Sequence, residues 1–193
     1  MDFYVENEIP MSAQELWRTM HTPEFDAFVA REYGLYAYIE LERRVSDNML
    51  KRRVRIVSTL DQHYYPFQSF ARMILGQDNL IYEEIQEKYL DHFEMRWRII
   101  PPVFPEKFDA YGTLRLIPIS RNRCIRVREG TVQVRLPGVD QLMKMITAVQ
   151  SEKTKDRFPQ VVENWKARSR EFQKQESLPI AALSAVSGAI ALR

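Results

Sequence analysis

The chain has little of the material from which disulfides and His/Cys metal sites are built. Its 193 residues include one cysteine, Cys124, and three histidines, His21, His63 and His92. A single thiol cannot form an intramolecular disulfide or a cysteine-based zinc site. We expect the three histidines to lie at the surface, and we predict no metal site, no cofactor and no catalytic residue.

Glycine is also scarce, with six residues, and no glycine-rich phosphate-binding loop is present. The motifs of α/β-hydrolases (G-x-S-x-G) and of zinc peptidases (H-E-x-x-H) are missing as well. These absences favour a protein that is not an enzyme, although a fold with a pocket can carry chemistry that no short motif reveals.

Neither sign of charge prevails. Lysine and arginine total 28 against 26 aspartate and glutamate residues, a formal net charge of +2. A globally basic nucleic-acid binder is not expected at this balance, so we predict no nucleic-acid partner. The first residues lack the basic stretch and apolar run of a secretory signal, and a cytoplasmic location is therefore the expectation.

Hydrophobic spacing predicts one strand, two short helices, six strands and a long final helix. Ser12 with Glu15 three residues later is a capping box, and Thr22 before Pro23 is a second helix start. Strands are predicted at 2–9, on either side of a turn at 46–48, and near 80–89, 93–100, 107–118 and 123–135. Strands bracketed by helices predict an α+β fold with an antiparallel sheet.

Three short motifs, in this order, carry a resemblance to a known superfamily. They are IPMSAQELW at 9–17, PFQSFARMILG at 66–76 and VRLPGV at 134–139. Over about residues 1–175 the chain resembles the START-like superfamily, also called Bet v 1-like or polyketide-cyclase-like. More narrowly, it is similar to a mostly bacterial START-like family of unknown function.

That resemblance implies a helix-grip fold, in which a curved antiparallel sheet of about seven strands surrounds a long C-terminal helix, with two short helices after the first strand. It also implies a cavity between the sheet and the long helix. In such proteins the cavity typically holds an apolar ligand such as a lipid or sterol.

Arginine breaks the alternation of two predicted strands. Arg52 shares a face with apolar neighbours, and so does Arg43. An inward charge is costly unless it is paired or solvated. We predict that Arg52, with Arg43 and Glu129, forms the polar end of an apolar pocket and holds a carboxylate, phosphate or hydroxyl group of the ligand. Glu129 is included because it shares a face with Ile125 and Val127, and we expect a bulge at Gly130 to return Val132 and Val134 to that face.

Two alternatives compete with that hypothesis. Arg52 could belong to an internal Arg–Glu pair with no ligand role, or the strand ends could simply be exposed. The predicted apolar lining of the pocket consists of Met95, Trp97, Leu114, Met143 and Ile146. Such periodic apolar residues are also what a plain core would show.

The leading interpretation is a protein that binds a lipid or other hydrophobic small molecule in an internal cavity, as an intracellular carrier. An enzyme of the aromatase/cyclase type, or an interaction module with a filled cavity, are the alternatives. We predict one ligand-binding domain over 1–175 and a small/apolar tail over 176–193, uncharged from Ser177 to Leu192. The tail is too short for a membrane span, but with segment 66–76 it is a candidate for transient membrane contact.

Overall fold

The computed structural model describes residues 2–59, 79–102, 105–135 and 157–170. Its strands are β1 (Asp2–Ile9), β2 (Ala37–Val45), β3 (Met49–Thr59), β4 (Asn79–Tyr89), β5 (Glu94–Ile100), β6 (Phe108–Ser120) and β7 (Arg123–Val134). Its helices are α1 (Ala13–Thr19), α2 (Pro23–Glu32) and α3, which is helical over 157–170, with a short 3-10 turn at Pro105–Lys107. The predicted order of elements is confirmed within these ranges.

Both short helices begin where the sequence signals predicted. The Ser12 hydroxyl accepts a hydrogen bond from the backbone N–H of Glu15 at 3.2 Å. The Thr22 hydroxyl accepts one from Phe25 N–H at 3.3 Å, directly before Pro23. Each cap satisfies a backbone donor that the first helical turn cannot pair internally.

The strands form one antiparallel sheet in the order β1-β7-β6-β5-β4-β3-β2. The last strand pairs with the first, and α1 and α2 carry the chain from one edge of the sheet to the other. The helices cover one face of the sheet, which we call the inner face. Side chains of α1, α3 and the strands meet there in one apolar core that includes Ile9, Leu16, Trp17, Met95, Leu114, Leu116, Cys124, Phe158 and Val162.

The pairing register decides which side chains of β7 point inward. Gly130 pairs with Phe3 and Gly112 without any shift of register, so the predicted bulge at this glycine is wrong. The unbroken alternation places Arg126 and Arg128 on the inner face. Glu129, Ile125 and Val127 fall on the outer face.

A register shift does occur in β2, between Glu40 and Glu42. It brings Arg43 opposite Arg52 on the inner face. The neighbours with which Arg43 was expected to share a face, Ile39 and Leu41, are exposed instead. A bulge of this kind changes the phase of the alternation, and the sequence carries no local signal for it.

Two glycines make room for a tryptophan on the inner face. Trp97, Gly112 and Gly130 are neighbours across β5, β6 and β7, and the indole crosses both glycines toward Phe3, with ring centroids 5.8 Å apart. A Cβ atom on Gly130 would lie 2.6 Å from Trp97 Cζ2 and 2.5 Å from the Tyr111 carbonyl oxygen. A side chain at this position must therefore displace the indole and strain the backbone.

We expect Gly130→Ala to lower the free energy of unfolding by about 1–3 kcal/mol, since it overpacks a filled site. Urea denaturation measures the change. In a Trp97→Phe background the cost should be smaller, because phenylalanine lacks the two indole atoms nearest the added methyl group. If the free-energy losses of the two single variants sum to the loss of the double variant within about 0.5 kcal/mol, contact with the indole is not what makes Gly130→Ala costly.

Candidate functional site

Two clusters of side chains, each built around a buried arginine, lie on the inner face. The first, which we call the Arg52 cluster, consists of Arg52, Asp26, Tyr38, Glu40 and Gln86. The second, which we call the Arg126 cluster, consists of Arg126, Arg128, Glu84, Trp97 and Phe158. The first joins α2 to β2, β3 and β4, and the second joins β7 to β4, β5 and α3.

Arg52 is 1% exposed, and all of its donors have protein partners. Its Nε donates to Gln86 Oε1 at 2.5 Å, and its Nη2 donates to the Tyr38 hydroxyl at 2.9 Å. Nη1 donates to Asp26 Oδ2 and, at 3.4 Å, to Glu40. An arginine with these partners resembles the internal ion pair that the sequence left open as the alternative to a ligand contact.

Arg43 lies beside this cluster and is tied to the protein in two places. Its Nε and Nη2 each donate to the Glu40 carboxylate at 2.7 Å, and Nη2 also donates to the His21 carbonyl oxygen at 2.8 Å. The hydrogen bond from Arg43 is the main cause of a lowered pKa of Glu40. The structure thus brings Arg43 and Arg52 together, as predicted, around one shared carboxylate.

Because Arg52 is buried and compensates the partly buried Asp26, we expect Arg52→Met to lower the free energy of unfolding by about 3–5 kcal/mol. Thermal or urea denaturation measures the loss. The control is Arg53→Met on the same strand, whose exposed side chain pairs with Glu83 on the outer face and should change stability by at most about 0.5 kcal/mol. Equal losses for the two variants would contradict this description of the cluster.

His21 is buried at 7% exposure, so the expectation that it lies at the surface is wrong. It follows α1 with φ of +72°, a backbone conformation that non-glycine residues rarely adopt. Burial, and then the positive charges of Arg52 and Lys88, hold the pKa of His21 well below 6.5. His92 is exposed, as expected, and His63 lies outside the described residues.

Lys88 stabilises the C-terminal end of α1. Its Nζ donates to the Trp17 carbonyl oxygen and, at 2.9 Å, to the Met20 carbonyl oxygen. It also lies 4.8 Å from the centroid of the Trp17 ring. Burial lowers the pKa of Lys88 to about 8. A cation at the C-terminal end of a helix is favourable because it meets free backbone carbonyl groups.

We expect the neutral, buried His21 to make stability fall in acid. The unfolded chain takes up a proton on this group below about pH 6.5, whereas the folded chain does not, so the free energy of unfolding decreases as pH falls, by up to about 1.4 kcal/mol per pH unit. The variant His21→Asn tolerates positive φ but does not titrate. Denaturation at pH 8 to 5 should show a smaller acid loss for the variant, and parallel curves would contradict the prediction.

Arg126 forms the centre of the second cluster. It is 5% exposed, and its Nε and Nη1 are buried without a hydrogen-bond partner among the described residues. Its guanidinium carbon lies 4.2 Å from the centroid of the Phe158 ring of α3. Burial, followed by the charge of Arg128, lowers the pKa of Arg126 to about 10, so the group keeps its charge at neutral pH.

Arg128 and Trp97 extend this cluster across the sheet. The Arg128 guanidinium carbon lies 4.7 Å from the centroid of the Trp97 ring, and its Nη2 is 4.0 Å from Glu84 Oε2. The Nε1 atom of Trp97 is buried, and within the described ranges it too has no hydrogen-bond partner. Buried indole N–H groups usually have one.

Sequence reasoning missed Arg126 and Arg128 as inner-face residues. It placed the apolar Ile125 and Val127 inward, and a bulge at Gly130 was then needed to bring Val132 and Val134 to the same face. The neighbouring strand β6 held a usable signal. Its apolar residues Leu114 and Leu116 have to face the core. Residues paired across strands share a face, so their partners Arg128 and Arg126 face inward as well.

Glu129 does not join either cluster. On the outer face it accepts hydrogen bonds from Arg115 Nη2 at 2.8 Å and from the Thr113 hydroxyl at 3.2 Å. It borders a shallow outer hollow of about 350 Å³ that lies over Gly112 and Gly130. The structure therefore separates Glu129 from Arg52, with which it was predicted to act.

The structure places three of the predicted lining residues on the inner face. Met95, Trp97 and Leu114 are each buried at 3% exposure. Met95 and Leu114 belong to the core that α1 and α3 share with the sheet, as plain core residues would. Met143 and Ile146 lie outside the described residues, as do segment 66–76 and the tail.

The described ranges contain neither a candidate metal site nor a candidate membrane-spanning helix. Within 2–59, 79–102, 105–135 and 157–170, no group of three or more His, Cys, Asp or Glu side chains could hold a metal ion. In the same parts of the chain, no helix is long and apolar enough to cross a membrane.

A seven-stranded antiparallel sheet whose inner face receives two short helices and a C-terminal helix defines a helix-grip fold. Solved structures confirm this fold. The Thermus thermophilus protein TTHA0849 superposes with a TM-score of 0.61 at 16% identity, covering 88% of this chain and 99% of its own. The Zhui aromatase/cyclase from a Streptomyces species superposes with a TM-score of 0.59 at 13% identity, covering 87% and 94%.

A plant enzyme shares the fold as well. Norcoclaurine synthase from Thalictrum flavum, solved with dopamine and hydroxybenzaldehyde, has a TM-score of 0.51 at 13% identity, covering 85% of this chain and 87% of its own. No family model and no curated protein matches the chain. At these identities the likeness establishes a shared fold and not a shared activity, and the narrower resemblance to one bacterial family stays a prediction.

Proposed function

We propose that this protein binds an apolar small molecule against the inner face of its sheet, between the sheet and the C-terminal helix. The observation that carries the proposal is Trp97. Its indole lies at the middle of the inner face, is 3% exposed, and keeps a buried Nε1 donor without a partner among the described residues. An acceptor atom on a bound molecule would satisfy that donor at little cost.

The surroundings of Trp97 support an apolar guest. Along the same face, Met95 and Ile99 flank it on β5, and Ala110 and Leu114 flank Gly112 on β6. An apolar lining with a few fixed polar groups is typical of sites for hydrophobic small molecules. The fold supports the proposal too, since norcoclaurine synthase holds two aromatic compounds on the same architecture.

The fuller form of the proposal is an intracellular carrier for a lipid. It would exchange its cargo at membranes through 66–76 and 177–193, segments that lie outside the described residues. Arg52 and Arg43 would then form the polar end of the site. The opposing possibility is an interior filled by the protein's own side chains, in which case no guest binds.

A charge placed on the inner face should block binding, whereas the same charge outside should not. Ile99 is half-buried on the inner face, and Ile117 is exposed on the outer face of β6. We expect Ile99→Lys to weaken binding of the neutral dye Nile red at least tenfold, about 1.4 kcal/mol, while Ile117→Lys leaves it unchanged. Fluorescence titration of the full chain measures both.

Circular dichroism of the two variants controls for loss of fold. Native mass spectrometry of freshly purified protein gives a second readout, since a carried guest adds mass that solvent extraction removes. Absence of saturable dye binding by the unaltered chain, together with absence of any carried mass, would overturn the proposal. Equal weakening by both lysines would show that the dye binds elsewhere.

A further inference from the structure

The charged side chains of the inner face do not balance. Among the residues that the structure describes there, five are positive: Arg43, Arg52, Lys88, Arg126 and Arg128. The carboxylates that reach them are Asp26 from α2, Glu40 from β2 and Glu84 from β4. The imbalance is not spread evenly, because two of these carboxylates belong to the Arg52 cluster.

Asp26 and Glu40 are taken by Arg52 and Arg43, and Lys88 donates to two backbone carbonyl groups. Among the described carboxylates, Glu84 is the one left for the two remaining arginines: it lies 4.0 Å from Arg128, and its charge also acts on Arg126. Its Oε1 already accepts from Gln86 Nε2 at 2.7 Å, and its Oε2 is 4.0 Å from Arg128. Two guanidinium groups thus share one partly engaged carboxylate.

Of the two arginines, Arg126 has the less complete compensation of its charge and its hydrogen-bond donors. Its charge is buried, and its Nε and Nη1 donors lack a partner among the described residues. The Phe158 ring at 4.2 Å offers the cation a favourable face, but it supplies no oxygen acceptor for the guanidinium N–H groups. A buried ion in this state is costly unless a further acceptor binds it.

We propose that Arg126, supported by the charge of Arg128, binds the anionic oxygen group of an amphiphilic small molecule whose apolar part lies along the inner face. The inference rests on the proposed function and adds to it the chemical class of the ligand, a carboxylate or phosphate on an apolar body. It also assigns the anchor to β7, since the donors of Arg52 on β3 are already used within the protein.

The test compares an acid with its uncharged ester. Fluorescence titration with cis-parinaric acid and with its methyl ester measures both affinities on the full chain at neutral pH. The unaltered protein should bind the acid at least tenfold more tightly than the ester. Arg126→Met should reduce acid binding to the level of the ester and leave ester binding within about twofold.

Arg123→Met is the matched control. Arg123 lies on the same strand, but its exposed side chain pairs with Glu8 at 2.8 Å on the outer face, so this variant should keep the preference for the acid. Arg126→Lys keeps a charge without the guanidinium and should give an intermediate preference. It also serves as the test variant if the methionine variant does not fold.

Competition separates the possible sources of the anion. Dodecyl phosphate should displace parinarate, whereas inorganic phosphate at the same concentration should not, because it lacks an apolar part. Displacement by inorganic phosphate would overturn the proposal that the ligand must be amphiphilic. Equal binding of acid and ester, with Nile red still bound, would overturn the role of Arg126 and leave the proposed function standing. Failure of all three apolar probes to bind would overturn both.

Discussion

Compensation of buried positive charge organises this molecule. Arg52 is 1% exposed and is held by a carboxylate from α2, an amide from β4 and a hydroxyl from β2, so one guanidinium joins three separate parts of the chain. A buried ion cannot be left without partners, because its desolvation is not repaid otherwise. The ion pair of Arg52 with Asp26 therefore ties α2 to the sheet, while Phe25 and Phe28 pack α2 against Trp165 of α3.

The same requirement gives the two clusters different characters. Around Arg52 every donor has a partner, so the cluster is a closed structural joint. Around Arg126 two donors remain, and Trp97 adds a third within the described part of the chain. A polar network that is complete contributes rigidity, whereas one that is incomplete has capacity for a further molecule. The inner face thus has a fully hydrogen-bonded cluster around Arg52 and an incompletely hydrogen-bonded cluster around Arg126.

The sequence was informative where the signals are local. Helix starts at Ser12 and Thr22 and the strand ranges follow from caps and periodicity, which act over a few residues. The inner face of β7 was assigned wrongly because Ile125 and Val127 alternate with Arg126 and Arg128, and only pairing with β1 and β6 decides between the two sets. The Asp26–Arg52 pair and the burial of His21 depend on contacts between distant segments, for which one sequence offers no pattern.

Trp97 and its two glycine neighbours give the sheet an unusual cross-section. At Gly112 and Gly130 no side chain stands on either face, so bare backbone separates the indole from the outer hollow bordered by Tyr111 and Thr131. Here the wall of the protein is a single peptide layer thick. The indole lies directly against that layer, because a Cβ atom on either glycine would be 2.6 Å from Trp97 Cζ2.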